Sequence, residues 1–166
     1  MSKRFSLLAC LAAVLTLGST AGALADAGGQ GTVTITQHAS NVELFPPMAI
    51  TNPCTGQTGT LSAIASTSVF HVTYFTNGDE FWVTGTAQGT ATFTPDNPNG
   101  VSASGHFATW FGESSNNKND VQHDTSTFQL TGTDGSHVVV HANDHLSTNA
   151  NHVVTVSFNN FSFHCG

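Results

Sequence analysis

Basic side chains are nearly absent from this 166-residue chain, which holds only Lys3, Arg4 and Lys118 against ten acids. The first two belong to a segment unlike the rest. Lys3-Arg4, an apolar run from Leu7 to Leu17 too short to cross a bilayer, and the small-x-small site Ala23-Leu24-Ala25 together read as a secretory signal peptide over residues 1–25. Residues 26–166 are then expected to form one secreted, extracellular domain of ordinary length. Its single lysine against ten acids gives a formal charge of −9. Nucleic acid and anionic membranes both require clustered Lys and Arg, so neither is an expected partner. The lack of arginine also removes tight bidentate recognition of phosphates and carboxylates.

Catalytic signatures are missing as well. The chain has no Gly-x-Ser-x-Gly elbow, no phosphate loop and no dinucleotide fingerprint. Of its three cysteines, Cys10 falls in the leader, and an exported chain left with Cys54 and Cys165 most simply pairs them. Such a link ties the carboxyl-terminal strand back to the start of the domain.

Charged helix formers are scarce after the leader, whereas Thr, Val, Phe and Gly recur with period two, so the domain is expected to be all-β. Candidate strands are 32–37, 58–65, 69–76, 80–86, 90–94, 101–111, 121–131, 137–146 and 152–163. Short connections imply an antiparallel meander. With one apolar face and no helices to cover it, such a sheet is expected to close into a barrel of about eight strands, the alternative being a two-sheet sandwich. Phe45-Pro46-Pro47 and Asn52-Pro53 read as a plug or edge-covering strap near the amino end.

Turn chemistry sets registers. A two-residue Asn77-Gly78 loop opposes Tyr74 with Phe81 and Val72 with Val83. A three-residue Thr133-Asp134-Gly135 loop opposes Leu130 with Val138 and Phe128 with Val140. Both put apolar residues on one side and Thr, Trp and His on the other. A one-residue slip would invert each assignment, so their agreement is informative. Asn149-Ala150-Asn151, taken the same way, predicts Leu146, Ala142, Val154, Val156 and Phe158 on the apolar face, with a bulge after Asn159-Asn160 where the large residues change parity.

Asn52-Pro53-Cys54-Thr55-Gly56, the glycine-punctuated strands, His137, His141 and His145 before Asn149-Ala150-Asn151, and the terminal Cys165 resemble a group of small secreted actinobacterial β-proteins of uncharacterised function. The resemblance spans most of the mature chain. It implies export, β-architecture and the cysteine pair, and it transfers no active-site residue.

Three constellations are candidates for chemistry. The register sets Asp124 opposite Asp144 on the apolar side near one barrel mouth, where paired carboxylates raise one another's affinity for protons. Tyr74 shares that side. Small Gly85, Ala91 and Gly105 would leave room for a ligand, while the alternative is a solvated rim. On the reverse side His123 faces His145, with His141 further along, a set whose natural metals are zinc or copper, although the favoured reading is a metal-free surface. Trp82 and Trp110 lie on that polar side too, where exposed indoles stack on sugar rings, unless a loop covers them.

These observations lead to the expectation of a non-catalytic binding or surface-interaction barrel without a cofactor, holding a small molecule at one mouth. The alternatives are a carbohydrate-binding module using Trp82 and Trp110, and a barrel isomerase, cyclase or hydrolase using Asp124 and Asp144. One consequence is independent of ligand. All nine histidines lie after residue 25, and an unperturbed imidazole takes up its proton near pH ~6.5. Mild acidification therefore carries the domain from −9 towards zero, and solubility is expected to fall as the pH drops from about 7.5 to about 5.5. A flat solubility curve over that interval would refute it.

Overall fold

The computed structural model describes residues 31–75 and 80–166. The expected leader, the first residues of the expected domain and the expected turn at Asn77-Gly78 lie outside the described residues. Those described form eight strands and no helix: β1 (Thr32–Ala39), β2 (Val42–Thr51), β3 (Thr58–Phe75), β4 (Phe81–Pro95), β5 (Ala103–Ser115), β6 (Asn119–Gly132), β7 (His137–Asn149) and β8 (Val154–Cys165). Every pairing is antiparallel, and one sheet runs in the order β1-β3-β4-β5-β6-β7-β8, with β2 also on β3.

The first two strands act as one broken edge strand. β1 pairs with Ser68 to Phe75 and β2 with Thr58 to Ala65, so both lie on the side of β3 away from β4. The break at Ser40-Asn41, where Asn41 takes φ 56°, lies across from a bulge at Ser66 of β3. That bulge explains why β3 and β4 are each longer than their sequence suggested. Residues 58–65 and 69–76 were expected as two strands, as were 80–86 and 90–94, yet each pair is continuous. Gly89 is no turn. A Cβ there would collide with the carbonyl oxygen of Ile64 at the bulge, so glycine is what lets the two backbones pass. Phe45-Pro46-Pro47 is likewise a strand where a strap was expected, distorted by register shifts on both sides of Phe45.

Two of the three turn-based registers hold. Tyr74 opposes Phe81, Val72 opposes Val83, Leu130 opposes Val138 and Phe128 opposes Val140. In the second turn Gly135 takes φ 86°, and Asp134 Oδ1 accepts from the backbone N–H and the hydroxyl of Ser136. The third register fails. The β7–β8 loop centres on Ala150-Asn151-His152, with His152 at φ 57° as the left-handed residue, and Thr148 pairs with Val154. Thr155 is then an extra residue, because Ser147 pairs with Val156. This bulge reverses parity at the start of β8, not near its end. Val156 and Phe158 consequently lie on the polar side beside Ser147 and His145, while Phe161 and Phe163 oppose Ala142 and Val140.

The apolar side is the inside of a roll. One row across it reads Cys165, Val138, Leu130, Gly105, Ala91, Ala63 and Phe45. Phe45, Phe93 and Phe107 are each no more than 2% exposed, and Phe128 stacks on Phe107 at 5.9 Å between ring centres. Burying each phenylalanine contributes roughly 1.5–3 kcal/mol. Among the described residues no hydrogen-bonded pairing joins β8 to β1 or β2, so the sheet is not closed by its ladder, an arrangement open to a barrel-like or a sandwich-like description.

A disulfide joins the two edges instead. Asn52 Oδ1 accepts the N–H groups of Cys54 (2.9 Å) and Thr55 (3.3 Å), and Gly56 takes φ 71°, forming a turn that presents Cys54 to Cys165. Their Cα atoms are 5.7 Å apart and 111 residues apart in sequence. A loop of that length restricts the unfolded chain by about 4–5 kcal/mol. Cys54→Ser with Cys165→Ser, or reduction, is expected to lower stability by about that amount in thermal or denaturant unfolding; an unchanged midpoint would show that the link is thermodynamically idle.

Candidate functional site

Strand parity divides the ionisable groups between the two faces. In β3 to β8 the only acids are Glu113, Asp120, Asp124 and Asp144, and all four lie on the inner parity. Eight of the nine histidines lie on the outer parity, only His152 being in a turn. Three of them are held by cross-strand threonines: Thr36 Oγ1 lies 2.9 Å from His71 Nδ1, Thr127 Oγ1 3.0 Å from His141 Nδ1, and Thr131 Oγ1 3.2 Å from His137 Nδ1.

At the inner mouth Asp124 opposes Asp144, in a row with Asn159, Phe111, Gly85 and Phe70. Burial, and then the charge of Asp144, push the Asp124 carboxyl above its ordinary value of 3.8, with His123 partly offsetting them. Asp144 Oδ2 accepts from Asn159 Nδ2 at 2.8 Å. The space expected beside the pair is taken. The rings of Phe111 and Phe70 lie over Gly85, Gly105 faces the carbonyl of Gln129, and Ala91 is fully buried. Tyr74 is half-buried on the same face, next to Phe81. Small residues there let rings and backbone pack closely and do not open a chamber.

On the outer face the structure gathers what the sequence had listed apart. Trp110 is 42% and Trp82 49% exposed, and β2 covers neither. The Trp110 indole lies over Gly112, whose missing side chain makes the space, and meets His123 edge-on at 5.5 Å. His123 meets His145 edge-on at 5.6 Å, and His145 stacks on Phe158 at 5.2 Å with 14° between planes. Four rings thus form a row across β5, β6, β7 and β8. Trp82 stands apart from them, edge-on to Phe75 at 5.4 Å. His141 does not join the His123–His145 pair, and no group of three or more His, Cys, Asp or Glu among the described residues comes together as metal ligands would.

Beside Trp110 is a shallow depression of about 470 Å³, lined on the outer face by Thr67, Val69, Thr86, Gln88, Ala108, Thr125 and Thr127. Ala108 contributes the smallest side chain of that lining. The sequence reading missed two features here. Phe158 was assigned to the opposite face because the Thr155 bulge leaves no local signal, and the depression needs side chains from four strands.

Comparison with protein-family models, curated proteins and solved structures finds no match to the chain.

The Asp124 carboxyl yields a test of the inner mouth. A carboxyl whose pKa is raised on folding favours the folded state only while protonated, so stability falls as pH rises from about 3.8 through the raised value. Asp124→Asn is therefore expected to raise the unfolding midpoint at pH 7, modestly because solvent screens a half-buried group, and to have little effect at pH 3. Equal midpoints for the two proteins at both pH values would contradict this account.

Proposed function

We propose that the protein is a secreted, non-catalytic binding protein whose outer face takes up glycans, with Trp110 as the stacking residue. The carrying observation is the exposed Trp110 indole, fixed over Gly112 and bordered by a depression of threonine hydroxyls and the Gln88 amide. Sugar rings have apolar faces that stack on an indole and hydroxyl rims that exchange hydrogen bonds with such groups.

The charge distribution supports a neutral ligand. Near pH 7.5, where an ordinary imidazole is uncharged, the outer face of β3 to β8 carries neither acid nor base other than histidine. The disulfide and the absence, among the described residues, of a helix long and apolar enough to cross a membrane are compatible with an exported protein. The inner mouth supports a ligand less well, because Phe70 and Phe111 fill it and Asn159 occupies Asp144.

Soluble oligosaccharides from neutral polysaccharides are expected to quench or shift tryptophan fluorescence. Trp110→Ala should weaken that binding at least about tenfold, or about 1.4 kcal/mol, with little change in melting temperature because the ring is partly exposed. Silence across a broad panel of neutral and acidic oligosaccharides would overturn the proposal.

A further inference from the structure

The largest unexplained feature is the last strand. All twelve residues of β8 are exposed, on both faces. Of the ten large hydrophobic residues that are exposed among the described residues, six are Val153, Val154, Val156, Phe158, Phe161 and Phe163, in or next to this strand. Beyond its pairing with β7, its second row of backbone N–H and C=O groups has no strand partner among the described residues. An apolar free edge of this kind is a template for another strand.

We infer that β8 is the interface of a two-fold homodimer in which the β8 strands of two copies pair antiparallel and extend the sheet across both. Three observations select a second copy as occupant. The first is charge: in a domain with formal charge −9, β8 carries no Asp, Glu, Lys or Arg, so two copies meet here without like-charge repulsion. The second is the state of the other edge. β1–β2 is broken at Ser40-Asn41, carries Pro46 and Pro47, and shifts register around Phe45. Proline and irregularity blunt an edge, which disfavours head-to-tail polymers and leaves the self-complementary pairing. The third is reach. The five residues between the expected leader cleavage point and Gly31 span at most about 18 Å, whereas the twelve residues of β8 extend about 40 Å.

A two-fold axis normal to the sheet keeps inner face with inner face, so residues of equal parity must oppose one another. Full overlap then centres the axis on Asn159 or Asn160, in the middle of Val154–Cys165. The aromatic rings on either side of that centre are brought beside the partner strand, on the outer face at Phe158 and on the inner face at Phe161 and Phe163.

The axis position supplies the test. A charge at residue 160 is placed beside its own copy, so Asn160→Lys and Asn160→Asp should each repel themselves and attract one another. Sedimentation equilibrium of the full mature chain should show a concentration-dependent dimer in the micromolar range. Each variant alone should be monomeric with a native melting profile, and an equal mixture of the two should restore the dimer. A wild-type protein monomeric throughout that range overturns the inference. So does a dimer that persists in both variants alone, which would place the interface elsewhere.

Discussion

Alternation along the strands is the constraint on which the rest depends. Successive side chains of a strand point to opposite faces, and directly paired residues share a face, so a single register decides for a whole strand which groups leave water. From β3 to β7 that rule sends Phe93, Phe107, Leu130 and Val138 inward and the histidines outward, together with the threonines other than Thr109 and Thr148. The four strand acids pass inward with the apolar set. They stay clear of its most buried part, because Glu113, Asp120, Asp124 and Asp144 all fall towards the mouth where β5 and β6 turn. An acid deeper in the roll would need a partner the sequence does not provide.

The same rule gives the sheet two unlike margins. The β1–β2 margin is broken and carries prolines, and it contributes Phe45 to the core; the β8 margin is straight after Thr155, uncharged and bare. The disulfide holds the margins together at one end only, and among the described residues no ladder of hydrogen bonds closes the sheet. Neither margin rescues the other through hydrogen bonds. That leaves a ladder of backbone groups on β8 that a second strand can satisfy.

The outer-face row and the β8 margin meet at Phe158, which stacks on His145 and stands on the edge strand. A dimer formed there would set two such rows end to end on one continuous surface. Weak single-site affinity for a sugar becomes useful when two sites share one polymer, since the second contact is made at high effective concentration. The surface proposed for glycans and the edge proposed for pairing are therefore compatible in geometry.

Local chemistry determined much of this protein from its sequence. Alternation and turn residues were enough to place Asp124 against Asp144 and His123 against His145, which depend only on the count from one tight turn, and alternation alone put Trp110 on the polar side. The pairing of Cys54 with Cys165 followed from their being the two cysteines after residue 25. What local reasoning could not reach were the two bulges. Ser66 and Thr155 carry no mark distinguishing them from neighbouring Ser and Thr, and a bulge is decided by how a strand must bend against its partners. Through the first, four expected strands became two; through the second, Val156 and Phe158 changed faces. The depression beside Trp110 and the open margin at β8 likewise exist only once several strands are assembled, since both are defined by side chains and backbone far apart in sequence.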